Sequence, residues 1–293
     1  ERQQLHNIIG KSDDLRKIFS LIETLSSVST TVLITGENGT GKGLVAEALH
    51  YHQKGSEKKP FVVVSCCSLS DNLLESELFG HVKGAFTGAV HDRVGRFQKA
   101  EGGTVFLDEI GDISYTMQLR LLRILEEKVY ERLGDSVSIK ADVRIIAATN
   151  QDLRRKVSQG KFREDLYHRL KVVEITMPPL RKRCEDIPLL VEHFIEKLNL
   201  RLHKNIDSVS TTVLKRFMDY KLPGNVRHLY HTMEYAFVTC DNSVITIDNL
   251  PSDIGNMRDR DSLHEKRADI NDRNQIVKAL EKSGCNKTKA TRL

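Results

Sequence analysis

Five short runs break up the chain as apolar, largely β-branched stretches: Thr31–Thr35 (TVLIT), Phe61–Val64 (FVVV), Thr104–Leu107 (TVFL), Val143–Ala148 (VRIIAA) and Val172–Ile175 (VVEI). Between them the apolar spacing changes to that of a helix. After Ser12, a residue suited to an N-cap, Leu15, Ile18, Phe19, Ile22 and Leu25 fall on one face, and Leu44–His50 and Met117–Leu125 read similarly. Apolar strands separated by helices predict a parallel sheet covered on both faces, an α/β unit over residues 1–177.

The prolines of MPPL, 177–180, end that alternation, since neither can donate to a strand ladder. Beyond them the period is helical: IPLLVEHFIEKLNLRL from Ile187, TTVLKRFMDY from Thr211 and NVRHLYHTMEYAFV from Asn225 predict a small all-α unit over 178–250. The polar, turn-rich PSDIGNMRDRDS predicts a linker over 251–265. A further amphipathic helix with Ile276 and Leu280 on one face begins within 266–293.

Composition changes this picture little. A chain of 293 residues with 39% hydrophobic and 29% charged residues is globular, and a net charge of +5 permits contact with nucleic acid or nucleotide without requiring it. The five cysteines (Cys66, Cys67, Cys184, Cys240 and Cys285) include no Cys-x-x-Cys pair, which argues against a disulfide framework or a zinc ribbon and for reduced thiols. No apolar run approaches the ~18 residues of a membrane span, so a cytoplasmic location with no membrane partner is expected.

Chemistry enters at GENGTGKG, Gly36–Gly43, which follows the first strand and opens a helix. Glycines there let successive backbone N–H groups point at phosphate, Lys42 adds a compact charge, and the helix N-terminus adds its dipole. Gly43 stands where a Ser or Thr would offer Mg²⁺ a hydroxyl, so the metal depends on another carboxylate. Asp108, at the end of the third strand, supplies it, and Glu109 beside it can polarise a water for attack on the γ-phosphate of ATP. The stretch GAFTGA, 84–89, is harder to place: taken alone, a tight turn whose Phe86 plugs a core is the simpler reading.

Together, SELFGHVKGAFTGA, GGTVFLDEIGD, AATN (147–150), GKFREDLYHRL (160–170), PPLRKRCEDIP (178–188) and PGNVRHL (223–229) resemble the central AAA+ ATPase domain of bacterial enhancer-binding proteins, the activators of sigma-54 RNA polymerase, over about 8–250. The resemblance implies a nucleotide site formed by Ile8, Ile9, Gly36, Glu37, Asn38, Gly39, Thr40, Gly41, Lys42, Gly43, Leu44, Leu180, Arg181, Ile187 and Val226. It makes Thr149 and Asn150 the sensor near the γ-phosphate, and Arg227 a second sensor in the helical unit. Arg163 and Arg169 become arginine fingers inserted by a neighbouring subunit, which implies a ring or at least a dimer; similar proteins work as hexamers. Gly84, Ala85, Phe86, Thr87, Gly88 and Ala89 become a loop that engages sigma-54 when ATP is bound, the glycines letting it move, and RLGD (132–135) its supporting loop with Arg132 as contact. The segment EKSGCNKTKATRL resembles the start of a Fis-type helix-turn-helix for enhancer DNA. It ends before a recognition helix, so a fragment of a longer regulator is expected.

Four positions depart from the family pattern: Gly43 and Gln98 where Glu is usual, Ser65 where Asn is usual, and Leu222 where Trp is usual. The usual Asn is thought to hold the catalytic Glu away from water, which puts the coupling of hydrolysis to partner binding in question here. Two other readings therefore stay open: a nucleotide-binding DNA regulator with impaired turnover, and a generic AAA+ remodeller, which leaves GAFTGA unexplained.

Overall fold

The computed structural model describes residues 4–53, 55–56, 58–67 and 70–255. The five apolar runs form one sheet: β1 Val32–Thr35, β2 Phe61–Ser65, β3 Thr104–Asp108, β4 Arg144–Thr149 and β5 Val173–Thr176. Their order is β5-β1-β4-β3-β2 and every neighbouring pair is parallel.

Alternation along these strands sorts their side chains to two faces. Val32, Ile34, Phe106, Ile146, Ala148 and Ile175 pack with α1 (Asp13–Leu25) and α2 (Lys42–Tyr51). Leu33, Val105, Leu107, Ile145 and Ala147 face the other way, onto α3 (Asp71–Phe79), α4 (Tyr115–Glu127) and α5 (Glu164–Leu170). The result is three layers. Helix α1 buries the five residues its spacing predicts. Ser12 does occupy the N-cap, but its side chain makes no capping bond; its Oγ donates instead to Asp186 Oδ2 at 2.8 Å. That is a correction to a purely local reading, in which a tertiary carboxylate outcompetes the helix end.

The helical unit holds α6 (Ile187–Leu202), α7 (Thr211–Asp219) and α8 (Asn225–Thr239) around its own apolar core. Its helices are joined by a feature that periodicity does not reveal, a two-residue parallel pairing of Ser208–Val209 with Val244–Ile245. Ile254, within Ser252–Gly255, is fully buried in the same core, so packing continues past Leu250. The expected linker from 256 onward and the expected helix-turn-helix start, 266–293, lie outside the described residues.

Candidate functional site

The sheet order sets β1, β4 and β3 side by side, so the loop after Thr35, the Thr149 terminus and the Asp108–Glu109 step share one carboxyl edge, the usual ligand edge of an open α/β sheet. Gly36 N–H donates to Thr149 O at 3.2 Å, tying the loop to β4. Gly41 caps α2 at φ 103°, a left-handed conformation natural to glycine. Lys42, 7% exposed, donates from Nζ to the carbonyls of Gly36 (2.8 Å) and Glu37 (3.0 Å). Burial pushes its pKa below the ordinary value, and the Asp108 and Glu109 carboxylates oppose that. Burial likewise pushes Asp108 up, against the Glu109 N–H that donates to its Oδ1 at 3.0 Å and against Lys42. Lysine and carboxylates thus sense each other across the edge. Glu109 has φ 57°, left-handed backbone that costs a non-glycine residue roughly 1–2 kcal/mol. Its Oε2 accepts a hydrogen bond from Cys67 Sγ. Thr149 is fully buried and its Oγ1 accepts from Gln151 N at 3.0 Å, whereas Asn150 is exposed at the strand end.

The helical unit closes on the loop from the other side. Arg181 meets Glu37 through two parallel bonds, Nη1–Oε2 at 2.7 Å and Nη2–Oε1 at 2.6 Å, and with Asn225 holds that carboxyl down at about 2. Asn225, fully buried at φ 53°, accepts from Leu180 N (2.7 Å) and donates to Glu37 Oε2 (3.2 Å) and Asn38 O (3.0 Å). Val226 N donates to Gly39 O at 3.0 Å, and Arg183 Nη2 donates to Thr40 O at 2.8 Å. A Cβ on Gly39 would lie 2.2 Å from Gly224 O and 3.0 Å from the Cβ of Arg227, which sets Arg227 directly over the loop. A cavity of about 360 Å³ opens here, lined in part by Ile8, Ile9, Leu44 and Val226 with Thr40 and Gly41. Leu180 and Ile187 stand behind it in the helical core. Another cavity, of about 380 Å³, lies by Thr104 and Arg144 at the opposite edge of the sheet, away from these groups.

GAFTGA forms the turn between the short antiparallel strands Gly80–His81 and Arg93–Val94. Gly84 and Gly88 have φ 85° and 102° with nothing within 4 Å of a built Cβ, so backbone conformation and not crowding requires glycine. Gly84 N–H donates to Ala89 O at 2.9 Å and closes the loop. Phe86 does not plug a core: it is 36% exposed and rests edge-on against His81, ring centroids 5.0 Å apart, while His81 Nδ1 is 2.8 Å from Ser76 Oγ. The second loop backs the first. Val82 N donates to Leu133 O (3.1 Å), Leu133 N donates to Gly80 O (3.0 Å), and Gly134 packs on Ala85. Arg132 is held within its own turn by Asp135 at 2.8 Å.

Residues 8–176 match the family model of the sigma-54 interaction domain, and residues 181–267 that of an AAA+ ATPase lid domain. The chain belongs to the sigma-54 interaction domain family. Among curated relatives of this family, it is 48% identical over 251 residues to the nitrogen fixation protein AnfA of Azotobacter vinelandii (86% of this chain, 47% of that one). It is 45% identical over 292 residues to the transcriptional regulatory protein ZraR of Escherichia coli (strain K12) (97% and 65%). The chain spans about half the length of relatives such as AnfA. Among solved structures, NtrX from Brucella abortus in complex with ADP superposes with a TM-score of 0.81 at 30% identity, covering 98% of this chain and 66% of that one. The same protein in complex with ATP gives 0.80 at 29%, covering 97% and 65%.

Within this sigma-54 interaction domain, Arg163 and Arg169 sit apart from the phosphate loop. Arg163 stacks over Tyr115 and pairs through Nη2 with Asp165 Oδ2 at 2.6 Å; Arg169 pairs with Glu126 at 2.9 Å. The departures fall on four different surroundings. A Cβ at Gly43 would stand 3.9 Å from Phe106, so the space admits a side chain. Gln98 is exposed on Arg96–Lys99, and Leu222 is buried in the helical core at φ 44°. Ser65 pairs in register with Asp108. Sequence reasoning missed Asn225, Arg183, Asp186 and Cys67. Asp186 is fully buried and accepts from Lys11 N (2.6 Å) and Ser12 N (2.9 Å), tying the helical unit to the start of α1. Only its position inside the PPLRKRCEDIP match could have flagged it. No helix among the described residues is long and apolar enough to cross a membrane.

Proposed function

We propose that this chain hydrolyses ATP in a ring of subunits and uses the turnover, through its GAFTGA loop, to remodel the closed complex of sigma-54 RNA polymerase. The loop 36–41 and the N-terminus of α2 bind the phosphates, Lys42 leaves its two carbonyl partners for the β- and γ-phosphate oxygens, and the cavity beside Ile8, Ile9 and Val226 takes the base. Asp108, a carboxylate at the carboxyl edge of the sheet, would hold Mg²⁺, which would neutralise phosphate charge there; Gly43 has no hydroxyl to offer it. Glu109 orients the attacking water, with Thr149 and Asn150 at the adjacent strand end.

Arg163 and Arg169 act on a neighbour's site: their planar, permanently charged heads suit transition-state oxygens, and in their own subunit they pair with Tyr115, Asp165 and Glu126 and not with the loop 36–43. Lid contacts at Glu37, Gly39 and Thr40 transmit the nucleotide state, and Phe86 with Thr87 meets sigma-54. ATP and ADP in the NtrX complexes support the ligand. One observation carries the reading: the loop that holds Lys42, after β1, and the Asp108–Glu109 step, after β3, flank the end of β4 at one sheet edge, under a lid bonded to the same loop.

A second reading, nucleotide binding without turnover, is favoured by the engagement of the Glu109 carboxylate by Cys67. ATP hydrolysis measured against protein concentration separates them. Rates rising cooperatively, and lost in Glu109→Gln, support the ATPase; equal rates in wild type and Glu109→Gln overturn it.

A further inference from the structure

Glu109 is gripped at both ends. Its N–H is held by Asp108 Oδ1, and its carboxylate accepts a hydrogen bond from the Cys67 thiol. Cys67 reaches it because the edge strand β2 runs in register beside β3: Ser65 stands opposite Asp108, and Cys66 N–H donates to Asp108 O at 2.9 Å, one residue past the last pair. That bond turns Cys66 into the core, where it is 3% exposed, and leaves Cys67 on the surface beside the carboxylate. Ser65 Oγ lies 3.7 Å from the Cys67 sulfur, so serine, thiol and carboxylate follow one another along the strand end. The geometry points to Cys67 as a positioning residue that restrains the water-orienting Glu109, an inference that rests on the ATPase reading above.

The chemistry gives the restraint a direction. A carboxylate oxygen that accepts a thiol proton offers one fewer lone pair to water. Donation to Glu109 raises the Cys67 pKa, so at neutral pH the sulfur keeps the proton it donates. Cys67 is exposed and touches no described phosphate-loop residue through a hydrogen bond, which separates it from nucleotide binding.

Two measurements test this. In steady-state ATP hydrolysis, Cys67→Ala should raise kcat about fivefold, the worth of one net hydrogen bond, and leave KM for ATP unchanged. Cys67→Ser, which keeps a donor, should return kcat toward wild type. An unchanged or lower kcat in Cys67→Ala, or a change confined to KM, overturns the inference. The contact is read without turnover by the rate at which iodoacetamide modifies Cys67, followed by peptide mass. Glu109→Ala should speed that modification, because the thiol loses the partner that raises its pKa. Equal rates in wild type and Glu109→Ala overturn the contact. If wild type hydrolyses no ATP, the ATPase reading falls and takes the inference with it. If hydrolysis depends on Glu109 but neither readout responds to Cys67, the inference fails alone.

Discussion

Asn225→Ala probes the seam between lid and phosphate loop at its most crowded residue. Asn225 is fully buried, and its amide serves three partners at once: Leu180 N, Asn38 O and Glu37 Oε2. Truncation leaves the Leu180 N–H without an acceptor in a buried position, at a cost of about 1–3 kcal/mol. Asn38 O and the Glu37 carboxylate reach solvent and lose little. At φ 53° alanine is also less at ease than asparagine, adding about 1 kcal/mol. The total is about 3 kcal/mol, and for a chain of this size each kcal/mol moves Tm by roughly 2–4 °C, so a fall of roughly 6–12 °C is expected by calorimetry. Asn225→Asp keeps the acceptor for Leu180 and the tolerance for left-handed backbone, but it loses both donors and brings a second carboxylate to Glu37, so it should fall between the two. ATP binding, measured by isothermal titration, should weaken in both. A Tm shift below about 2 °C in Asn225→Ala would refute the claim that this network joins the lid to the loop.

Gly39→Ala forces a Cβ against Gly224 O in a backbone conformation alanine disfavours, so the lid must back away; ATP affinity should drop more than about tenfold, the equivalent of ~1.4 kcal/mol, and an unchanged Kd would show that the lid does not need that close approach. Because the Glu37 carboxyl is depressed from 4.5 to about 2, the stability its clamp contributes is whole above pH 4.5 and is lost as pH falls toward 2. The Tm difference between wild type and Glu37→Gln should therefore shrink across that window, and a difference undiminished between pH 4.5 and pH 2 contradicts the assignment. Phe86→Ala removes a ring that is 36% exposed, so stability should change by less than about 1 kcal/mol and ATP hydrolysis should persist, while promoter opening by sigma-54 polymerase fails; intact promoter opening would sink the proposed role of the loop.

The sheet was legible because its central strands β1, β3 and β4 are buried on both faces and so read as apolar runs, because the partly exposed edge strands β2 and β5 keep a β-branched composition, and because α1 carries its core residues at helical spacing. The paired Ser208–Val209 and Val244–Ile245 were not, since two-residue strands leave no periodic trace. Ser12 shows the same limit: its local environment suggests a cap, and only the folded chain brings Asp186 close enough to take its hydroxyl. At the site, Lys42, Asp108 and Glu109 announce themselves through the elements that flank them. Asn225 and Cys67 do not, because their importance comes from contacts across 188 and 42 positions of chain, and no spacing rule spans such separations.

Phe86 meets the His81 ring and belongs to none of the apolar cores of the described residues. Lifting it would therefore take no side chain out of those cores. In the proposed cycle such a tip would rise and fall without disturbing the packing beneath it, and its posture would be set by the left-handed Gly84 and Gly88 and by the second loop that backs it.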